Sequence, residues 1–316
     1  MTAWLFPALT QMALIMAIAP LTGGVMKTLK ARLQTRRGPG VLQPYRDLYK
    51  LVRKGMVRPD TASWLFPAAP YVLFLSALLA GLMIPMVAAD APLSLFGGVL
   101  AVVYLLGLGR FFLALGGLDT GSSFGGLGSS REMTISALAE PAMMLAIFTV
   151  AIGVGSTNLS VVAHTALGQS WRFFAPSQML AFAALLIVLI AETGRIPVDN
   201  PATHLELTMI HEAMILEYSG PYLALIEWGA WIKQLILMTL LVNTFFPFGL
   251  SPGWAVGSGL LVSLAWYLLK LLLLSGVIVV IETTNAKMRL FRVPELLSVA
   301  FVLGALALVS TFLFAA

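Results

Sequence analysis

A polar segment, AETGRIPVDNPATHLELTMIHEAMILEYSG (residues 191–220), gathers several carboxylates, two histidines and one arginine between two apolar runs. Carboxylates and lysines that are buried close together have shifted and coupled pKa values, so they can exchange protons near neutral pH. Exposed glutamates and lysines rarely do so. The chemistry that these residue types suggest is therefore proton transfer, provided that the fold buries them together.

Ionisable residues also occur in the apolar runs themselves. Glu140, Lys233 and Lys270 are predicted within membrane spans, and Glu192 and Glu282 at the inner ends of two spans. Such charges are costly in hydrocarbon, so they face other helices or water and often mark ion pathways. Two interpretations stay open: buried ion pairs that fix helix packing, or a relay that moves protons.

The composition excludes an ordinary soluble globular protein. Of the 316 residues, 59% are hydrophobic and 10% are charged, and the mean hydropathy is +0.93, whereas soluble domains carry about 25% charged residues. Roughly 20 apolar residues span a bilayer as a helix. The runs here are continuous rather than alternating, which favours helices over a β-barrel. We predict an all-α, polytopic membrane bundle formed by a single domain, residues 1–316.

Eight spans are predicted, near residues 3–26, 65–88, 93–115, 135–154, 177–193, 226–247, 256–281 and 295–315. The loops 27–64, 116–134, 194–225 and 282–294 carry 15 basic residues, and Arg110, counted with the second of these loops, makes 16, whereas the opposite loops carry only Arg172. The positive-inside rule then places the four basic loops in the cytoplasm and both termini outside. The expected location is a prokaryotic inner membrane.

The first basic loop predicts a further element. After a Gly-Pro-Gly turn, apolar residues recur at spacings of three and four: Leu42, Tyr45, Tyr49, Val52 and Met56. This pattern predicts a short amphipathic helix on the membrane surface. Two roles for the loop stay open. It either fixes topology and attracts anionic lipid, or it docks a cytoplasmic subunit, which the rigid RRGPG turn favours.

Several classes of site are excluded or disfavoured. The chain has no cysteine, so it holds no thiolate-bound iron–sulfur cluster, no zinc–thiolate site and no disulfide. It has no phosphate-binding or dinucleotide-binding fingerprint, and the glycines within residues 125–128 are interpreted as a loop. If residues 203–217 form one helix, His204 and His211 lie about 10 Å apart along it, too far to share one ion. We predict no catalytic, cofactor or metal site in this chain.

Five motifs together resemble the eight-helix membrane subunit shared by respiratory complex I and the membrane-bound group 4 nickel–iron hydrogenases. They are RRGPGVLQPYRDLYKL (36–51), GLDTGSSFGGLGSSRE (117–132), ETGRIPVDNP (192–201), EYSG (217–220) and ETTNAKMRL (282–290). The resemblance covers nearly the whole chain. GLDTGSSF and Lys233 of WIKQL look more like the hydrogenase branch, which contains hydrogenase-4 component C and formate hydrogenlyase subunit 4.

The resemblance implies a non-catalytic subunit that couples redox chemistry to ion movement. It would anchor hydrogenase-type large and small subunits, which carry the iron–sulfur clusters and any nickel–iron site, and it would contact antiporter-like membrane subunits and lipid, with no nucleic acid. The residues assigned to proton transfer or coupling are Arg131, Glu140, Glu192, Arg195, Asp199, Glu206, Glu217, Lys233, Lys270 and Glu282. The residues assigned to partner docking are Arg36, Arg37, Gly38, Asp47, Lys50 and Asp119.

The sequence also departs from the family pattern. Val198 stands where the family usually has phenylalanine, and Ala202 and His204 stand where further acids usually follow. Two alternatives therefore stay open. One is the quinone-site membrane subunit of a complex I-type NADH or ferredoxin dehydrogenase, and the other is a passive membrane scaffold for a soluble enzyme.

Overall fold

A computed structural model describes residues 5–168, 175–200, 209–254 and 258–314. Within these ranges the chain is helical and forms no β-strand, which confirms the all-α class. The helices are α1 (Leu5–Leu33), α2 (Gln43–Arg53), α3 (Leu65–Leu82), α4 (Val99–Asp119), α5 (Ser123–Val154), α6 (Leu159–Gly168), α7 (Pro176–Glu192), α8 (His211–Ile215), α9 (Gly220–Phe245), α10 (Ser258–Thr284) and α11 (Val293–Phe314).

Seven of the described helices, namely α1, α3, α4, α5, α9, α10 and α11, are long and apolar enough to cross a membrane. The predicted fifth span corresponds to α7, which is apolar but has only 17 residues, about 26 Å at 1.5 Å per residue. α7 lies at the centre of the bundle, where Ala184, Leu185 and Val188 are fully buried. The polytopic bundle is thus confirmed, and the count of eight spans stays a prediction.

Burial separates the inner helices from the outer ones. α9 is buried along most of its length, whereas α10 and α11 present rows of exposed leucine, valine and phenylalanine side chains. Lipid tails solvate such side chains as well as apolar protein surfaces do, so these outer faces need no partner to be stable in a bilayer. The interior around α7 and α9 is where charged side chains have to be paired.

The segment predicted as the second basic loop, residues 116–134, is mostly helical. α4 and α5 cover all of it except a short turn, in which the Ser122 hydroxyl accepts a hydrogen bond from the Gly125 backbone N–H at 3.1 Å. This side chain caps the start of α5. The glycines within residues 125–128, expected in a loop, therefore lie in the first turns of α5. There they allow close packing, because a Cβ at Gly128 would lie 2.9 Å from the Ala213 side chain of α8.

Small residues also bring α4 close to its neighbours. A Cβ at Gly116 would collide with the Tyr218 hydroxyl, which precedes α9. Tyr218 is fixed in turn, because its ring stacks on Phe66 with centroids 4.0 Å apart and its hydroxyl donates to the Phe66 carbonyl oxygen at 3.1 Å. Burial raises the pKa of the Tyr218 phenol above its ordinary value, so the hydroxyl stays a neutral donor. The EYSG motif thereby ties the start of α9 to α3 and α4.

α2 is the amphipathic helix predicted in the first basic loop. Leu48 is buried against the bundle, whereas Tyr49 and Val52 are exposed. The Tyr45 hydroxyl donates to the Ala17 carbonyl oxygen, which fastens α2 to α1. We call the end of the bundle that carries α2 and α8 the basic end.

The loops at the opposite end hold one another through backbone hydrogen bonds. The Ala89 N–H donates to the Ser251 carbonyl oxygen at 2.8 Å, and the Ser251 N–H donates to the Val87 carbonyl oxygen at 3.0 Å. A further bond, 3.0 Å long, joins the Leu159 N–H to the Gly97 carbonyl oxygen. These hydrogen bonds therefore connect the helices at this end of the bundle.

Candidate functional site

The centre of the candidate site is Glu192, the last residue of α7. Its Oε1 accepts from Nη1 of Arg110 at 2.8 Å, and its Oε2 lies 2.8 Å from Nζ of Lys233 on α9. All three side chains are more than nine-tenths buried. Removing such ions from water costs several kcal/mol each, and close opposite charges offset that cost. The pairing therefore requires Glu192 to be ionised while both cations keep their protons.

Arg110 corrects the sequence prediction, which counted it with a basic loop. It lies inside α4, where its side chain points away from lipid and Nη2 lies 3.2 Å from Oε1 of Glu140 on α5. An arginine can occupy a membrane span when carboxylates of neighbouring helices neutralise it. Together with Glu192 and Lys233, these residues make a group of two cations and two carboxylates whose formal charges cancel.

A second group forms around Glu282, near the end of α10. Its Oε1 lies 2.7 Å from Nη1 of Arg195, and its Oε2 lies 2.9 Å from Nζ of Lys30 on α1. Nη2 of Arg195 donates to Oε1 of Gln234 on α9 at 2.6 Å. Glu282 thus repeats the arrangement of Glu192, with one buried carboxylate between two cations from different segments.

The two groups are adjacent because they share two pieces of chain. Lys233 and Gln234 are consecutive residues of α9, and Glu192 and Arg195 are three residues apart at the end of α7. We call the whole set the ion-pair network. Its members are Lys30, Arg110, Glu140, Glu192, Arg195, Lys233, Gln234 and Glu282.

Asp199 lies beside the network on the side of the basic end. It is 2% exposed, and its oxygens accept from the backbone N–H groups of Asn200 at 2.8 Å and Ile210 at 3.2 Å. Nζ of Lys287 lies 3.2 Å from its Oδ1. Asp199 therefore connects the backbone at Asn200 and at Ile210 with Lys287.

The structure separates Lys270 from the network. Its Nζ donates to Oδ1 of Asn243 at 3.0 Å and to the Phe246 carbonyl oxygen at 2.9 Å, towards the end of the bundle opposite α2. Lys270 and Glu282 are twelve residues apart on α10, which is about 18 Å along the axis. Sequence position alone grouped Lys270 with the other buried charges, but the acceptors it reaches are neutral.

Three further residues were predicted for coupling, and two of them lie in the described part of the chain. Nη1 of Arg131 donates to the Met209 carbonyl oxygen at 2.9 Å. Glu217 is exposed beside the Tyr218 contact. Glu206 lies outside the described residues.

The residues just before α8 correct the helix assumed for the two histidines. His204 and Ala202 lie outside the described residues, and α8 covers only His211–Ile215. Met209 precedes α8 in a non-helical conformation, so one continuous helix over residues 203–217 does not form. Among the described residues, no group of three or more His, Cys, Asp or Glu side chains could hold a metal ion.

The residues predicted for docking divide into exposed and internally engaged ones. Arg36, Arg37 and Lys50 are exposed on and beside α2, and so is Gly38. Two others have partners within the chain. Oδ1 of Asp47 accepts from Nε2 of Gln43 at 2.8 Å.

Asp119 has a structural role within the chain. Its Oδ2 accepts from the backbone N–H groups of Ser63 at 2.7 Å and Phe66 at 3.3 Å, at the start of α3. A carboxylate at a helix start satisfies free N–H groups and favours the positive end of the helix dipole. Asp119 therefore links the end of α4 to the start of α3.

Sequence reasoning missed several members of the site. Arg110 was detectable, because an arginine within an apolar run is itself an indication of a buried partner. Lys30 was counted as a loop charge, but it lies in the last turn of α1, and the packing of α1 against α10 brings it to Glu282. Gln234 is neutral, so nothing in its residue type distinguishes it from any other glutamine.

Known proteins similar to this chain come from respiratory membrane complexes. Residues 7–315 match a family model described as NADH dehydrogenase. Hydrogenase-4 component C of Escherichia coli (strain K12) is 37% identical over 301 residues, which cover 95% of this chain and 93% of that protein. Formate hydrogenlyase subunit 4 of the same organism is 36% identical over 310 residues, covering 97% and 98%. An NADH-quinone oxidoreductase subunit of Rhodospirillum rubrum is 29% identical over 297 residues, covering 92% and 86%.

The fold also occurs in a solved structure. The structure of the membrane-bound sulfane sulfur reductase, an archaeal respiratory membrane complex, contains a chain that superposes with a TM-score of 0.86. The alignment covers 98% of this chain and 99% of that chain, at 19% sequence identity. The helices therefore keep their arrangement across sequences that share few residues.

Proposed function

We propose that this chain is the membrane anchor and energy-coupling subunit of a respiratory complex of the hydrogenase-4 or formate hydrogenlyase type. The proposal starts from its family: the chain belongs to the NADH dehydrogenase family, which includes a subunit of NADH-quinone oxidoreductase. The chain would link redox chemistry in partner subunits to the movement of protons or sodium ions. The higher identity to the two Escherichia coli hydrogenase-type proteins supports this assignment over a quinone-site subunit of a complex I-type dehydrogenase.

The observation that carries the coupling role is Glu192 between Arg110 and Lys233. A proton that reaches Glu192 removes the negative charge on which two buried cations depend. Release of a proton from Lys233 then restores the charge balance, and Arg110 keeps Glu140 as its counterion. One proton has entered at a carboxylate and one has left from an amine. The network can therefore pass on a proton while its net charge stays the same.

The second group offers a connection to the redox partner. Arg195 holds Glu282 and contacts Gln234, the neighbour of Lys233. Asp199 lies four residues beyond Arg195 and is buried, with its Oδ1 3.2 Å from Nζ of Lys287. A charge change in a subunit bound at the basic end would act on Asp199 and Arg195 and, through α9, on the first group.

We place the redox centres in the partner subunits. Metal clusters in such complexes need thiolate ligands, and this chain has no cysteine. The exposed cations Arg36, Arg37 and Lys50 suit an acidic surface of the cytoplasmic subunit. Antiporter-like subunits would cover part of the outer apolar faces, and lipid would cover the rest.

Glu140→Gln tests the coupling role, because Glu140 is the most accessible carboxylate of the first group. Inside-out vesicles that carry the whole complex would be supplied with reduced methyl viologen, and proton movement would be followed with a pH-sensitive dye. We expect the number of protons moved per electron to fall while electron transfer continues. The matched control is Glu295→Gln, an exposed glutamate at the start of α11.

A passive scaffold is the competing function, since every charge in the network has a partner and a rigid set of ion pairs could serve packing alone. Under that hypothesis, Glu140→Gln alters assembly or has no effect. Unchanged proton movement in a fully assembled Glu140→Gln complex would reject the coupling role and leave the scaffold.

A further inference from the structure

Glu132 of α5 is a buried carboxylate outside the ion-pair network. It is 7% exposed, and it lies near enough to Arg110 for the two charges to attract each other. Glu132, Ser136 and Glu140 follow one another at intervals of four residues, so they lie on one face of α5. This face begins near the basic end and leads to the first group of the network.

The packing of α5 against α4 brings that face to Arg110. The two helices run antiparallel, because Oγ of Ser129 donates to the Ala114 carbonyl oxygen at 2.9 Å while Glu140 lies beside Gly107, where a Cβ would be 3.2 Å from its Oε1. These two contacts lie on either side of Arg110 along α4. Arg110 is therefore level with the middle of the carboxylate face.

Two buried polar side chains in this space have atoms without a hydrogen-bond partner among the described residues. They are Oγ of Ser136, a residue that is 4% exposed, and Nε of Arg110, a residue that is 3% exposed. Nη2 of Arg110 also lacks an aligned hydrogen bond, although it lies 3.2 Å from Glu140. Buried polar atoms are nearly always hydrogen-bonded to protein or to ordered water. Ordered water between Ser136 and Arg110 would satisfy both residues.

We propose that Glu132 is a further proton-transfer residue, connected to Glu140 by ordered water that Ser136 and Arg110 hold. The proposal rests on the coupling function proposed above. Protonated Glu132 gives its proton to the first of a short chain of ordered waters, each water passes one of its own protons to the next, and the last water gives one to the Glu140 carboxylate. Glu132 becomes a carboxylate, Glu140 becomes a carboxylic acid, and the waters are unchanged.

The position of Glu132 explains why a residue is needed there. Glu132 and Glu140 are eight residues apart, about 12 Å along α5, which is too far for direct transfer but suits a path through water at Ser136. Nη1 of the neighbouring Arg131 donates to the carbonyl oxygen of Met209, two residues before α8. Glu132 therefore lies between the surface that faces the redox partner and the first group of the network.

The test compares Glu132→Gln with Glu132→Asp and Glu295→Gln in vesicles that carry the whole complex. Reduced methyl viologen is the electron donor, and protons moved per electron are the readout. We expect Glu132→Gln to reduce that ratio about tenfold or more, because losing a positioned proton-transfer group slows a proton-transfer step by roughly 10²–10⁴-fold. Glu132→Asp should retain a large part of the ratio, because aspartate keeps a carboxyl group that can still exchange a proton with the ordered water. Glu295→Gln should leave the ratio unchanged.

A second pair of variants tests the water directly and applies if Glu132→Gln fails to assemble. Ser136→Ala removes the hydroxyl and should lower the ratio, whereas Ser136→Thr keeps it and should retain most of the ratio. Equal ratios for Ser136→Ala and Ser136→Thr, or a Glu132→Gln complex that matches Glu295→Gln, would overturn the proposal.

Glu192→Gln in the same assay separates this inference from the proposed function. If Glu192→Gln abolishes proton movement while Glu132→Gln has no effect, the coupling function stands and only the role of Glu132 is rejected. If neither variant changes proton movement, both proposals fail. Difference infrared spectra on reduction provide an independent readout, since a carboxyl band present in the unaltered complex should be missing in Glu132→Gln.

Discussion

At the scale of single residues, the feature that matters at Glu192 is that each of its oxygens faces a different cation. Arg110 and Lys233 come from two different helices. Losing either cation leaves the carboxylate partly compensated, but losing Glu192 leaves both cations without their shared counterion. The effects of changes at these three positions should therefore be strongly non-additive.

Glu192→Ala should destabilise the assembled protein by about 3–5 kcal/mol, the cost of leaving a buried ion uncompensated. Adding Lys233→Met should recover part of that loss, because one of the two uncompensated cations is then removed. The measurement is the melting temperature of the detergent-solubilised complex for both single variants and the double variant. A double variant that is less stable than Glu192→Ala would contradict the pairing described here.

Lys270→Met should leave proton movement intact, whereas Lys233→Met should impair it. The two lysines lie in neighbouring helices, but only Lys233 contacts a carboxylate of the network, and Lys270 is bound to Asn243 and Phe246. The vesicle assay with reduced methyl viologen compares them directly. Equal impairment by both changes would show that Lys270 belongs to the ion path, as its place within a span first indicated.

At the scale of helices, the apolar spans and the amphipathic α2 can be predicted from the sequence, whereas the turns and contacts that connect the helices are harder to predict. Runs of apolar residues and the spacing of Leu42, Tyr45, Tyr49, Val52 and Met56 are local patterns, so they can be recognised without knowing the fold. The glycines within residues 125–128 were misassigned to a loop, because the Ser122 cap and the contact with α8 decide their conformation.

The same distinction applies to the candidate site. Glu140, Glu192, Lys233 and Glu282 were identified because charge in an apolar run is conspicuous. Which cation meets which carboxylate depends on how the helices pack, and sequence spacing does not contain that information. Lys30 reaches Glu282 across more than 250 positions of sequence, so only the folded bundle could assign this pair.

Gly116→Ala should destabilise the packing between α4 and the start of α9 by about 1–3 kcal/mol, a typical cost of overpacking. The added Cβ collides with the Tyr218 hydroxyl, which is already fixed by Phe66. The matched control is Gly126→Ala, since a Cβ there meets nothing within 4 Å and alanine favours a helix over glycine. Thermal unfolding of both variants checks the prediction, and a Gly116→Ala protein as stable as the control would reject it.

At the scale of the whole molecule, the predicted orientation places α2 in the cytoplasm and the loop around Leu95 outside. The chain has no cysteine, so an introduced cysteine is the single labelling site of this chain once its subunit is separated from its partners on a gel. In inside-out vesicles, a membrane-impermeant maleimide should label Lys54→Cys and leave Leu95→Cys unmodified, and right-side-out vesicles should give the reverse. Both positions are exposed, Leu95 to 93%. Labelling of both positions from the same side would refute the orientation.

The adjacency of Lys233 and Gln234 has a mechanical consequence. Consecutive residues of a helix point about 100° apart, so α9 presents one of them to each group of the network. If α9 turned about its own axis, Lys233 would leave Glu192 at the same moment that Gln234 left Arg195. A rotation of α9 that breaks the contact in one group would then break the contact in the other group as well. A partner that rotated this one helix would therefore change the contacts of Glu192 and of Arg195 together.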